Sequence, residues 1–325
     1  MKGVLGYMFE KKINSVVAVV VTYNRKELLV ECLSAILAQT YKVEKIILID
    51  NASTDGTKEY LDENGLLSNP IIQYKLMNKN LGGSGGFYEG IKYCRSEKCD
   101  WVWVMDDDTI PTKTCLEELI NANKLVYDKK NNEKISFLAS AIYGPENEFM
   151  NLPNIDVRPS ENGYAYWYEM LEYGMVNICD ATFVSILVNM EAINKCGLPC
   201  KEYFIWGDDS EYTRRLTTFY GKAYFVGKSI AIHKRFNARS LDIYEEKDLK
   251  RRKMYRYLYR NNTINMRYYH TGKQSVNLVK SMLRFIRDVF NKNRRTCAWV
   301  QLVGTWEGII KYKRFAKYID SQIKH

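Results

Sequence analysis

Trp101-Val102-Trp103-Val104-Met105-Asp106-Asp107-Asp108 runs five apolar residues straight into three carboxylates. A short apolar run bounded by polar residues reads as a buried strand. In open α/β sheets ligands bind outside the carboxyl ends of the strands, which is where this triplet falls. Side chains alternate along an extended chain, so Asp106 and Asp108 converge while Asp107 turns aside. Two carboxylates with open remaining positions suit Mn2+ or Mg2+ shared with a diphosphate. Taken alone, the triplet equally fits a solvated acidic turn, or the start of a helix capped by Thr109 or Thr112.

Strand and helix patterns alternate on both sides of this run. Residues 15–22, 45–50 and 71–76 read as strands, and 25–38, 55–61, 83–96 and 113–126 as helices. Leu29, Cys32, Leu33, Ile36 and Leu37 share one face of the first helix. Short connections and the repeated order predict an α/β fold with a mostly parallel, doubly wound sheet. Beyond it, 143–178 is broken by Gly, Pro and Asn. Residues 180–189, 222–226 and 229–232 are expected strands, and 208–219 a helix. From about 245 the pattern is helical.

The chain has 325 residues, 46% hydrophobic and 26% charged, a globular composition. No run approaches a membrane span of about 20 apolar residues. Residues 1–14 lack an apolar core and cleavage site, so no signal peptide is expected. The eight cysteines are scattered, and Cys196 and Cys200 have no second pair nearby, so reduced thiols in the cytoplasm are the simpler reading than a zinc site. Residues 245–325 carry twenty Lys and Arg against six Asp and Glu, while 1–244 carry 28 against 32. The chain therefore divides into 1–244 and a basic helical region, 245–325, that calls for an anionic partner. Within it Val276, Val279, Met282, Leu283, Ile286, Val289 and Phe290 form one stripe, opposite Lys280, Arg284, Arg287 and Asp288. Such a helix lies on a membrane surface, packs on its neighbours, or joins a second copy of the chain in a homo-oligomer.

Four further constellations carry chemistry. Thr22 and Asn24 end the first strand, and Asp50 the second, at the edge that holds Asp106; such groups suit a base or ribose, or simply a turn. Asn80-Leu81-Gly82-Gly83-Ser84-Gly85-Gly86 opens a helix, where backbone approaches a ligand closely and amides face anions. It is not the dinucleotide fingerprint, since Tyr88 stands at the last glycine position. Trp206, Asp208 and Asp209 begin another helix; burial there makes a carboxylate a better base, and the indole offers a flat face to a sugar. His233, one of three histidines, follows a short apolar run and is placed to complete a metal site.

In this order, Thr22-Tyr23-Asn24-Arg25, Asp50-Asn51-Ala52-Ser53-Thr54-Asp55-Gly56, the glycine repeat, Met105-Asp106-Asp107-Asp108, Trp206-Gly207-Asp208-Asp209 and His233 resemble family 2 glycosyltransferases. The resemblance covers about residues 15–235 and is greatest to bacterial galactofuranosyltransferases. It implies a GT-A type single Rossmann-like domain followed by the C-terminal helices. It implies inverting transfer of a hexose, galactofuranose from UDP-galactofuranose, in cell-surface polysaccharide or O-antigen synthesis. It implies Mn2+ or Mg2+ on Asp106, Asp108 and His233, and Asp209 as general base. Thr22, Asn24, Asp50, Gly82, Gly83, Asp106 and Asp107 then surround the nucleotide sugar, and Trp206 and Asp208 the acceptor, a glycan or polyprenyl-linked glycan. Some rhamnosyltransferases using dTDP-sugars look similar. Multi-enzyme relatives carry an extra N-terminal β domain where this chain has about fourteen residues, which points to addition of one or few sugars. The basic tail alone fits nucleic-acid binding, but the acidic crevice does not, so no nucleic acid is expected. The expected place is the cytoplasm, peripheral on an anionic membrane's inner face.

Overall fold

The computed structural model describes residues 14–130, 133–235, 240–269, 274–292 and 294–324; the leader reading at residues 1–13 lies outside these. Four apolar runs, β1 (Val16–Thr22), β2 (Lys45–Asp50), β3 (Ile72–Leu76) and β4 (Trp101–Asp106), pair in parallel in the order β3-β2-β1-β4. Their register aligns the polar ends: Thr22 pairs with Asp50, and Val21 with Asp106.

Alternation along β1 supplies both faces of the sheet. Val16, Ala18 and Val20 pack under α1 (Lys26–Leu37), whose Leu29, Leu33 and Ile36 are fully buried. Val17, Val19 and Val21 face Phe87 and Ile91 of α3 (Gly82–Cys94); the short α2 (Thr57–Glu63) links β2 to β3. Gly86, the last of the glycine repeat, and Gly90 one turn on serve this contact. A Cβ on Gly86 would meet Val21 Cγ1 at 2.4 Å, and one on Gly90 would meet Val19 Cγ1 at 2.4 Å. The helix can lie this close to the strand only without side chains there.

After β4 come β5 (Thr109–Pro111), α4 (Cys115–Lys129), β6 (Ile135–Tyr143), the two-residue β7 (Phe149–Met150) and β8 (Asn154–Ile155), β9 (Met175–Asp180) and β10 (Ile186–Asn189). Then follow α5 (Met190–Cys196), α6 (Asp208–Phe219) and β11 (Lys222–His233). The sheet continues β4-β10-β6-β11-β9-β8, with β10 antiparallel to both neighbours and β6 parallel to β11. The parallel core is as expected, and the antiparallel strands extend it. Residues 180–189 are not one strand: Asp180 ends β9, residues 181–185 lie outside any strand with Ser185 at a φ of 52°, and β10 begins at Ile186. Residues 222–232 are one strand with a register shift between Val226 and Ile230. Thr109 belongs to β5 and caps no helix. All eight cysteines are buried free thiols.

Three helices complete the chain: α7 (Leu249–Tyr268), α8 (Gln274–Val289) and α9 (Arg295–Gln322). α7 packs along α9, and α8 lies on α9 through Phe285 against Trp299. Among the described residues no helix is long and apolar enough to cross a membrane.

Candidate active site

β4 delivers Asp106, and the chain turns through Asp107 and Asp108 into β5, which pairs antiparallel with the end of β11. That pairing sets His233 opposite Thr109, and Lys234 N donates to Asp108 O at 2.8 Å. A contact between strands far apart in sequence thus carries the histidine to the aspartates. Ligand atoms of Asp106, Asp108 and His233 all lie within 4.8 Å of one another. His233 Nδ1 lies 2.8 Å from Asn151 Oδ1 and its Nε2 3.1 Å from Asp108 Oδ1. His233 is thus held by Asn151 at Nδ1 and points its Nε2 at the carboxylates.

The corner is short of positive charge. Burial, then the charges of Asp108 and Asp107, hold the Asp106 carboxyl well above its usual range. Burial pushes Asp108 up too, but His233 and Arg25 outweigh it and leave that carboxyl below its usual value. Asp108 Oδ1 is buried without a hydrogen bond of good geometry, a defect that costs about 1–3 kcal/mol. Two carboxylates and an imidazole form a donor set suited to Mn2+ or Mg2+, and a dication would satisfy the orphan oxygen and relieve the repulsion. The residues fit the ion.

Asp107 turns the other way, as alternation requires. Its Oδ2 accepts from Thr22 Oγ1 at 2.7 Å and from Tyr23 N at 3.3 Å. Arg25 Nη1 bridges Asp107 Oδ1 at 3.2 Å and Asp108 Oδ2 at 2.6 Å. Burial nevertheless lifts Asp107 to about 6. Asp50 is also fully engaged, accepting from Ser53 N at 2.7 Å and Tyr74 OH at 2.6 Å. Asn24, at a φ of 54°, accepts from Thr54 N at 2.7 Å and so ties the loops after β1 and β2 together.

The second carboxylate pair arrives on α6. The preceding loop holds Phe204 and Trp206 at φ values of 67° and 60°, conformations that cost large residues roughly 1–3 kcal/mol each. α7 holds it there. Asn261 Nδ2 donates to the carbonyls of Tyr203, Ile205 and Trp206, the last at 2.6 Å. Asn265 Nδ2 takes Gly207 O at 2.8 Å, and Arg260 Nη2 takes Glu202 O and Tyr203 O at 2.9 Å. From the other side, Ser84 N donates to Phe204 O, and a Cβ on Gly82 would stand 1.9 Å from that oxygen. Gly82 therefore admits this loop; Gly83 lines the cavity with open space before it. Burial, and the charge of Asp209, raise Asp208 to about 7. Burial raises Asp209, the more accessible of the pair, to about 6 although Ser210 N donates to it at 2.7 Å.

One cavity of about 370 Å³ brings together Gly83, Asp106, Asp108, Trp206, Asp208, Asp209 and His233. Thr22, Asn24, Asp50, Gly82 and Asp107, expected around the nucleotide, do not line it; they brace the loops that do. Arg235 and Arg251 line it as well, and with Arg25 they continue into an adjoining cavity of about 650 Å³. Sequence reasoning missed these cations and the Asn261 clamp. Arg25 and Arg235 stood beside motifs already singled out, but no local pattern marks Asn261. Replacing Asn261 by Ala strands the carbonyls of Ile205 and Trp206, while Tyr203 O keeps Arg260, so urea unfolding should show a loss of about 1–3 kcal/mol, with wild-type stability as the contrary result.

Comparison with known proteins agrees with this geometry. Residues 17–128 match the model described as Glycosyl transferase family 2. The galactofuranosyltransferase GlfT1 of Mycolicibacterium smegmatis is 36% identical over 99 residues, 30% of this chain and 32% of that protein. The abequosyltransferase RfbV of Salmonella typhimurium is 38% identical over 88 residues, 26% of each. These alignments span about a third or less of the relatives' own lengths. A crystal structure of GalNAc-T7 with UDP, GalNAc and Mn2+ superposes with a TM-score of 0.54 at 15% identity, over 78% of this chain and 51% of that one. The α/β architecture is thus of the GT-A type, and residues 17–128 are similar to family 2 glycosyltransferases, galactofuranosyltransferases among them.

Proposed function

We propose that the protein transfers a hexose, with inversion, from a nucleoside diphosphate sugar to a hydroxyl of a glycan or lipid-linked glycan. The observation that carries this reading is that the Asp106–Asp108–His233 cluster and the Asp208–Asp209 pair open into one cavity. Similarity to galactofuranosyltransferases favours UDP-galactofuranose as donor and a role in cell-surface polysaccharide synthesis. Residues 1–244 are the catalytic unit in this reading, and 245–325 brace it.

Asp106, Asp108 and His233 would hold Mn2+ or Mg2+, which when bound neutralises charge on a departing diphosphate. Arg235 and Arg251 line the same cavity and attract that anion. The acceptor oxygen attacks the anomeric carbon as the bond from that carbon to the diphosphate oxygen breaks. The acceptor proton passes to Asp209, whose burial makes it a stronger base than a solvated carboxylate while leaving it ionised at neutral pH. Trp206 offers its ring to the acceptor sugar, beside Asp208.

Incubation with a panel of nucleotide sugars and Mn2+ should release a free nucleoside diphosphate; release of pyrophosphate would point to nucleotidyl transfer instead. Asp209→Asn should lower kcat by roughly 10²–10⁴-fold and leave donor affinity intact. Because the base acts ionised, kcat/KM should be lost as pH falls through about 6; a profile flat down to about 4, the ordinary aspartate value, would remove Asp209 from that role. Asp108→Ala should abolish the Mn2+ dependence of nucleotide binding in calorimetry, and unchanged affinity at saturating Mn2+ would count against the metal site.

A further inference from the structure

We infer that α8 and α9 together form a docking surface for an anionic lipid bilayer, lying on it without crossing it. On α8, Val279, Met282, Leu283, Ile286 and Phe290 share one exposed face, with Phe290 90% exposed. On α9, Trp299, Val303, Trp306 and Ile310 recur at helical spacing and are exposed as well, Trp306 at 61%. Phe285, on the inner side of α8, packs on Trp299 of the α9 stripe at a ring separation of 5.4 Å and holds the two helices together. Exposed apolar stripes on two helices packed on each other mark an interaction site on a folded chain. It is not a side effect of loose packing: Ser281, Phe285 and Asp288 of α8 face inward, bonded or packed to Gln301, Trp299 and Tyr244.

Charge selects the occupant. Among the described residues from 279 to 306 the exposed charged side chains are Lys280, Arg284, Arg287, Lys292, Arg294 and Arg295. The acid in that stretch, Asp288, is buried. A second copy docked by two-fold symmetry would set this cationic rim against itself. An anionic bilayer pairs with the rim while the apolar stripes enter the headgroup boundary, where tryptophan is favoured. The surface is also tied to the cavity mouth. Asp288 accepts from Tyr244 OH at 2.6 Å, and Asp242, Glu245 and Glu246 of that same segment line the outer cavity with Arg25 and Asp108. A chain seated on lipid through α8 and α9 therefore holds its outer cavity close to the headgroup layer, within reach of a membrane-bound substrate.

The test is cosedimentation of the full chain with vesicles of phosphatidylcholine alone and of phosphatidylcholine with one-third phosphatidylglycerol. The anionic vesicles should bind at least about tenfold more tightly, and added salt should weaken binding. Met282→Ser/Ile286→Ser/Phe290→Ser, all at exposed positions, should lose binding with an unchanged circular dichroism spectrum. Lys280→Glu/Arg284→Glu should remove the preference for anionic lipid. No binding to either vesicle, or full binding by the triple variant, overturns the inference. So does a dimer in light scattering that the triple variant dissolves, because a second copy would then cover the face. None of these readouts uses glycosyl transfer, so their failure leaves the catalytic reading standing.

Discussion

Mutual repulsion among Asp106, Asp107 and Asp108 is the constraint around which the rest is built. Three adjacent carboxylates, two of them almost fully buried, cannot all ionise without cations close by. Arg25 meets part of the need from the β1 loop, and His233 is brought in by the pairing of β5 with β11. Asp108 Oδ1, though 3.1 Å from His233 Nε2, still lacks a well-aligned hydrogen bond, and Asp106 remains hard to ionise. The fold tolerates this deficit because hydrophobic packing on both faces of the sheet is extensive. What it holds in reserve is a strong preference for a divalent cation at one point on the sheet edge.

The other half of the cavity depends on a different device. The loop that leads to Asp208 and Asp209 adopts backbone angles that its own residues disfavour, so outside contacts must hold it. Amide hydrogens from α3 and side chains from α7 supply them. A buried pair, Glu211 and Arg215, then locks α6 from below, with Tyr269 OH donating to Glu211 Oε1 at 2.9 Å. The basic C-terminal region is therefore part of how the candidate base is positioned, and its partition from the first 244 residues describes charge better than it describes packing.

What was legible in the sequence follows from this difference. Strand ends in a parallel sheet are local signals: each apolar run stops where polar residues begin, and register needs only the alternation of β1, β2 and β4. The aspartate triplet, His233 and the Asp208–Asp209 pair were therefore readable. Thr22 and Asp50 were readable as edge residues but not as braces, because their partners, Asp107 and Tyr74, are fixed only when the sheet assembles. Within the glycine repeat Gly83 does line the cavity, but Gly86, like Gly90 beyond it, answers to β1 across the helix–strand contact, which the repeat alone did not reveal. The break at residues 181–185 was invisible because both flanking runs are apolar and strand-like. Asn261 carried no signal at all: an asparagine inside a basic helix reveals nothing of the three carbonyls it gathers.

The opposed charges of the two regions then have a common explanation. Concentrated negative charge at the sheet edge would repel both a phosphorylated donor and an anionic membrane if it faced them bare. Arg235 and Arg251 stand at the cavity wall between the aspartates and the outer cavity, and the exposed cations of α8 and α9 extend that positive field outward. The outer cavity mixes these cations with Asp242, Glu245 and Glu246, so the field an approaching anion meets there is set by both signs and weakens over about 10 Å at ordinary salt. Arg25, Arg235 and Arg251 thus stand against Asp106 and Asp108 in the same cavity and offset part of the charge that a divalent cation on the candidate site would otherwise balance alone.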